Sequence, residues 1–158
     1  MFKKGVTLIE LLVVIGIMAI LFALTTSNLL APQRRTTAGE TVAVLSSDLR
    51  SQQLKAMLGD AAGSTPEDYG IYFAADAYIL FKGGNYNALD SDNFRVDLAQ
   101  GFNFVGIGVP GYSVVFSRGS GEASNFVSDI YQVNLTDTQN NSNTVIYINR
   151  YGTLSQVD

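Results

Sequence analysis

The fold is decided by the first twenty-four residues, Met1-Phe-Lys-Lys-Gly-Val6-Thr-Leu-Ile-Glu10-Leu-Leu-Val-Val-Ile-Gly16-Ile-Met-Ala-Ile-Leu-Phe-Ala-Leu24. From Val6 to Leu24 every residue is apolar except Thr7, Glu10 and the small Gly16. A helix over this stretch is roughly 28 Å long, close to the thickness of a bilayer's hydrocarbon core. The sequence therefore predicts a membrane-spanning helix, and the two lysines before it favour a cytoplasmic N-terminus.

One acidic residue interrupts this apolar run. A carboxylate at the centre of a bilayer costs about 2.5–3.5 kcal/mol or more, so Glu10 is a candidate functional residue. Two states are open to it: the side chain is protonated within the bilayer, or it pairs with a positive charge.

The order of residues around Glu10 resembles the class III signal of type IV pilins and type II secretion pseudopilins. The matching residues are Lys3, Lys4, Gly5, Thr7, Leu8, Ile9, Glu10 and Leu11. The resemblance implies that a prepilin peptidase removes residues 1–5, cutting between Gly5 and Val6, and methylates the new N-terminus. Val6 stands where the family usually has Phe.

Cleavage after Gly5 would leave an ammonium group on Val6 in or beside an apolar medium. Glu10 lies within about 6 Å of axial rise on the same helix, so pairing within one chain is one arrangement. Pairing with the ammonium of a neighbouring filament subunit is the other, and the family resemblance favours it. The predicted assembly residues are Glu10, Thr7, Leu8, Ile9, Gly16 and Pro32.

Two simpler explanations of the N-terminus compete with this one. A secretory signal peptide has an apolar core of about 7–15 residues and a small-residue cleavage site, and residues 27–31 offer only a poor one. A simple single-pass anchor explains the length and the lysines but not Glu10.

The next segment continues as an amphipathic helix. Residues 6–31 form the predicted transmembrane and assembly half, and residues 32–62 form the amphipathic half. Pro32 predicts a kink, and Gly16 is a second weak point. Apolar positions spaced three and four residues apart predict a buried stripe: Ala38, Val42, Leu45, Leu49, Gln52 or Gln53, and Ala56. Gly59 and Gly63 predict the helix end, although a separate helix after a linker over 31–37 is an alternative.

Residues 63–158 read as a β-rich domain. Short runs of aromatic and β-branched residues between turn residues predict seven strands: Tyr69–Ala74, Tyr78–Lys82, Phe94–Leu98, Phe102–Ile107, Tyr112–Ser117, Ile130–Leu135 and Thr144–Asn149. The predicted class is α+β, a long N-terminal helix packed on an antiparallel sheet or β-sandwich.

Composition disfavours several classes of function. The chain has no cysteine and no histidine, so it lacks the usual nucleophile, general base and metal ligands and is not expected to be an enzyme. Residues 63–158 contain four basic and ten acidic side chains, a net charge of 4 − 10 = −6. Nucleic-acid binding is therefore not expected.

Two local patterns suggest ligands only weakly. Gly106-Ile-Gly108-Val-Pro-Gly111 has the spacing of a dinucleotide-binding loop, but Pro110 and a predicted strand follow it, so a hairpin turn is expected. Asp90 and Asp92 could offer oxygen ligands to Ca²⁺, yet the twelve-residue calcium loop is absent and a solvated turn is the preferred interpretation. No cofactor is predicted.

The strand count and the ending Thr144–Leu154 look similar to the GspH/FimT-like minor pseudopilins. The resemblance therefore implies a structural filament subunit, preferably a minor pseudopilin. A major pilin and a membrane-anchored β-sandwich binding module remain alternatives. The implied partners are other pilin or pseudopilin subunits, the prepilin peptidase and an inner-membrane assembly platform. The implied location is the bacterial inner membrane, with residues 63–158 on the periplasmic or extracellular side.

Overall fold

The computed structural model describes residues 7–26, 30–60, 65–128 and 131–157. The chain divides into two compact units, an N-terminal unit, Met1–Thr36, and a C-terminal unit, Thr37–Asp158. Within the described residues there are two α-helices, α1 (Leu8–Thr26) and α2 (Leu30–Leu58).

The end of α2 is set by a glycine. Gly59 adopts the left-handed conformation with a φ of 88°. Its N–H donates a 2.8 Å hydrogen bond to the carbonyl of Lys55, which is the bond that closes a helix with an αL cap. The predicted termination at Gly59 is confirmed, whereas Gly63 lies outside the described residues.

Eight strands form two four-stranded antiparallel sheets. The strands are β1 (Tyr69–Phe73), β2 (Ala77–Lys82), β3 (Phe94–Asp97), β4 (Phe102–Val105), β5 (Ser113–Phe116), β6 (Gln132–Asp137), β7 (Ser142–Ile148) and β8 (Leu154–Val157). The first sheet has the order β3-β2-β1-β5, and the second has the order β4-β6-β7-β8. Each of the seven predicted strands is present, with ends shifted by at most about two residues, and the α+β class is confirmed. Ile130, the first residue of one predicted strand, lies outside the described residues. The strand β8 was not predicted.

The two sheets and α2 share one hydrophobic core. Along β1, residues Tyr69, Ile71 and Phe73 point to the same side and are buried, as the two-residue period of a strand requires. Phe73 meets Phe104 of the second sheet edge-to-face, with ring centroids 5.3 Å apart. The sheets therefore face each other through aromatic side chains.

The predicted stripe on α2 supplies the third wall of this core. The side chains of Val42, Leu45, Leu49 and Ala56 are buried in the same cluster. Of the two glutamines, Gln52 is the buried one, and its Nε2 donates a 3.3 Å hydrogen bond to the carbonyl of Gly70. This bond satisfies a β1 carbonyl from the helix and explains a polar residue on the apolar face.

A second polar contact connects α2 to the first sheet. The hydroxyl of Tyr78, on β2, donates a 2.6 Å hydrogen bond to the carboxylate of Asp48. Burial is the larger cause and this hydrogen bond the smaller one of a pKa of Tyr78 that is raised well above its ordinary value. The hydroxyl therefore remains a donor through the physiological pH range.

The prediction of a hairpin turn at Gly106–Gly111 was wrong. This segment leaves β4, which pairs with β6 in the second sheet, and enters β5, which pairs with β1 in the first. It is therefore a crossover between sheets. A three-residue 3-10 turn, Pro110–Tyr112, precedes β5, so no long helix follows the glycines to hold a phosphate.

We expect Leu49→Ala to lower the free energy of unfolding by about 2–5 kcal/mol, because it opens a cavity in the core. The matched control is Leu54→Ala on the same helix, since Leu49 is 0% exposed and Leu54 is 54% exposed. The control should cost about 0.5 kcal/mol or less. Denaturant unfolding of the full chain in detergent measures both changes, and similar losses for the two variants would contradict the placement of the stripe.

Candidate functional site: the start of helix α1

Thr7 caps the first turn of α1. Its carbonyl accepts a 3.2 Å hydrogen bond from the N–H of Leu11. Its Oγ1 accepts a 3.4 Å hydrogen bond from the N–H of Glu10. A threonine at this position satisfies one of the amide groups that a helix leaves unpaired at its N-terminus. Thr7 therefore fixes where α1 begins.

Glu10 is the third residue of α1 and its side chain is exposed. Thr7 and Glu10 have the spacing of a capping box, in which an acid three residues after the cap faces the helix start. The positive end of the helix dipole favours a carboxylate there. The first turn thus presents one carboxyl group close to the predicted new N-terminus.

The rest of α1 presents apolar side chains outward. Every residue over 7–22 is exposed, and Ile9, for example, is 71% exposed. Soluble monomers rarely expose contiguous apolar surfaces beyond a few hundred Å², and larger ones mark contacts with proteins or membranes. This surface is therefore suited to being covered by another molecule.

Gly16 lies in the middle of α1 with open space around it. A Cβ built at Gly16 would meet no atom within 4 Å. Packing inside this chain therefore does not require glycine at this position.

Of the other predicted processing and assembly residues, some lie beside Thr7 and Glu10 and some do not. Lys3, Lys4, Gly5 and Val6 lie outside the described residues. Leu8 and Ile9 are the first two residues of α1, next to Thr7 and Glu10. Pro32 is the third residue of α2, a separate element in the described structure.

Asp90 and Asp92 lie in a loop in which side-chain oxygens accept hydrogen bonds from the loop's own backbone N–H groups. The Asp90 carboxylate accepts a 3.0 Å hydrogen bond from the N–H of Asp92. The side chain of Asn87 accepts a 3.1 Å bond from the N–H of Leu89. Among the described residues, no group of three or more acidic, histidine or cysteine side chains is placed to hold a metal ion. The geometry is that of a hydrogen-bonded turn.

In the described part of the chain, no helix is long and apolar enough to cross a membrane. The transmembrane half expected over residues 6–31 stays a prediction.

Comparison with known families agrees with the N-terminal pattern. The family model described as the prokaryotic N-terminal methylation motif matches residues 1–26. The match confirms the class III prepilin signal and supports the type IV pilin and pseudopilin family. It points to a membrane-anchored structural subunit that prepilin peptidase processes. No curated protein and no solved structure matches the chain.

Replacing the cap should loosen the first turn. We expect Thr7→Ala to speed hydrogen exchange at the Glu10 amide by about two- to thirtyfold, since an N-cap contributes about 0.5–2 kcal/mol. Thr7→Ser keeps the hydroxyl and should exchange like the wild type. Residue-resolved exchange of the full chain in detergent measures this effect, and equal rates for the alanine and serine variants would refute the cap.

Proposed function

We propose that this protein is a filament-forming subunit of a type IV pilus-like or type II secretion pseudopilus machine, and that within this class it is a minor pseudopilin. The observation that carries the proposal is the exposed apolar helix α1 with Glu10 in its first turn, inside the residues 1–26 that match the prepilin signal. The location at the bacterial inner membrane, with the C-terminal unit on the outer side, belongs to the same proposal.

The first step is processing. Prepilin peptidase cuts between Gly5 and Val6, after Lys3 and Lys4 have held the N-terminus on the cytoplasmic side. The cut creates an ammonium group one residue before the cap Thr7. Capping of α1 by Thr7 supports a cut at this position, because the helix then begins directly after the new N-terminus.

The second step is assembly. A charge in an apolar environment is stabilised by an opposite charge, so Glu10 of one subunit accepts the ammonium of a neighbour and sets the register of the filament. Leu8 and Ile9 add apolar contact area beside this pair. Gly16 allows neighbouring helices to approach closely, as small residues do in membrane helix pairs. Pro32 permits a bend that adapts the helix to the filament.

The minor role is supported by the size of the sheet domain. Eight strands in two sheets form a larger domain than the small sheet typical of the family's major pseudopilins. The partners in this proposal are other pseudopilin subunits, the peptidase and an inner-membrane assembly platform. Nucleic acid is not among them, because three of the basic residues after position 63 lie in ion pairs with acids: Lys82, Arg95 and Arg150.

Glu10→Leu tests the proposal directly. We expect this variant to be cleaved by the peptidase but to be recovered in sheared filaments at least about tenfold less than the wild type, because an unpaired ammonium opposes assembly. Recovery is measured by immunoblot of the sheared fraction from cells that contain the complete machine.

Two controls accompany this experiment. Glu40→Leu removes an exposed acid from α2 and should assemble normally. Glu10→Asp keeps the carboxylate and should recover part of the assembly. If Glu10→Leu enters filaments as well as Glu40→Leu does, the register role is refuted. A membrane-anchored binding module, the second candidate, would give no filament recovery even for the wild type.

A further inference from the structure

A cleft of about 400 Å³ lies on the outer face of the first sheet, within the C-terminal unit. Tyr72 of β1 and Ser113 of β5 are register partners and point to the same side. The loop after β2, with Asn85 and Tyr86, forms one wall, and Asn125 forms another. The volume is within the range of about 300–1,000 Å³ that is usual for small-ligand sites.

The cleft contains a platform of two tyrosines. Tyr72 and Tyr86 stack with ring centroids 4.1 Å apart and planes inclined by 14°. The ring of Phe81 packs edge-to-face with the ring of Tyr86, with ring centroids 5.6 Å apart. Both tyrosines are only half-buried, so part of the platform stays accessible. The face of an aromatic ring carries a negative partial charge, which attracts the weakly positive C–H groups on one face of a sugar ring.

The polar groups around the platform are neutral. The described residues that line the cleft include amides and hydroxyls, among them Asn85, Ser113 and Ser124, but no charged side chain. A charged ligand would be desolvated there without a counter-charge, which is unfavourable. Amides and hydroxyls, by contrast, can both donate and accept hydrogen bonds, as sugar hydroxyl groups require.

The wall formed by Asn125 is held in place before any ligand arrives. Its Nδ2 donates to the carbonyls of Ser113 at 2.6 Å and Pro110 at 3.3 Å. Its Oδ1 accepts a 2.6 Å hydrogen bond from the hydroxyl of Tyr131. A site built this way loses little conformational freedom on binding.

A strained residue lies at the rim. Tyr112 follows the lining residue Gly111, has a φ of 56° and is 55% exposed. The left-handed conformation is uncommon for an aromatic residue and unfavourable for its backbone. The fold therefore holds a third tyrosine beside the cleft in a conformation that local energetics do not favour.

The neighbouring sheet edge argues against an extended peptide as the ligand. The carbonyl of Val115 on β5 already accepts the N–H of Ser124 at 2.8 Å. The N–H of Val115 donates to Oδ1 of Asn125 at 3.4 Å. An added strand would find these ladder groups occupied, so side chains rather than backbone must recognise the ligand.

We propose that this cleft binds an uncharged oligosaccharide, with a sugar ring on the Tyr72–Tyr86 platform and its hydroxyl groups on the exposed Asn85 and Ser124. The site uses residues of the C-terminal unit alone. It therefore does not depend on processing or filament assembly.

Calorimetric titration of the full chain tests this proposal. The chain is held in a detergent without a sugar headgroup, because a glycoside detergent would compete for the site. The probes are cellohexaose, chitohexaose and an acidic galacturonate oligomer. We expect a dissociation constant of about 1 mM or below for at least one neutral hexamer. Preference for cellohexaose would indicate a plain hexose polysaccharide, and preference for chitohexaose an N-acetylated glycan such as cell-wall material.

Three variants locate the binding. Tyr86→Ala and Asn85→Ala should each weaken the neutral hexamer at least about fivefold to tenfold. Tyr147→Ala removes a tyrosine that is 43% exposed on the second sheet and should bind as the wild type does. Thermal unfolding checks that each variant folds. If Tyr86→Ala does not fold, Asn85→Ala still tests the site, because it changes an exposed position. No binding of either neutral hexamer at about 10 mM, tighter binding of the acidic oligomer, or unchanged binding by folded Tyr86→Ala and Asn85→Ala would each overturn the proposal.

Discussion

The need to cover the apolar surface of helix α1 is the constraint on which the rest of this protein depends. Every residue over 7–22 is exposed, and the only acid among them, Glu10, lies in the first turn. The hydrophobic core of the C-terminal unit is formed by residues of that unit, and its helical side chains begin at Ala38. The protein therefore combines a domain that buries its own apolar side chains with a helix whose apolar surface is suited to contact with lipid or with another protein chain.

This division separates the residues of the proposed assembly site from those of the proposed ligand cleft. The prepilin signal lies within residues 1–26, and the Thr7 cap and Glu10 lie at the start of α1 inside it. The tyrosine and asparagine cleft is formed by β1, β5 and two loops of the C-terminal unit. A change in one set leaves the hydrogen bonds of the other intact, so the two proposals can succeed or fail independently.

The sequence predicted those parts of the structure that local patterns encode. The stripe from Val42 to Ala56 follows from the helical period, and the seven strands follow from aromatic and β-branched runs. The strand β8 was missed because Leu154-Ser-Gln-Val has little strand character until it pairs with β7. The segment Gly106–Gly111 was recognised as a turn, but no local signal says that its flanking strands join different sheets.

The solvent exposure of single side chains and the contacts between residues distant in sequence could not be predicted either. Phe94 is 64% exposed on the edge strand β3, and the sequence of a strand does not show that it lies at the edge of a sheet. Tyr72, Tyr86 and Asn125 come together only through the register of β1 with β5 and the return of the chain after β5. The Thr7–Glu10 spacing, by contrast, is readable from sequence alone, and it lies directly behind the predicted cleavage site. The most direct test is the intact mass and N-terminal peptide of the chain expressed with and without a prepilin peptidase. We expect a peptidase-dependent start at Val6, with or without an added methyl group. An intact Met1 terminus in the presence of active peptidase would refute processing at Gly5 and, with it, the filament proposal.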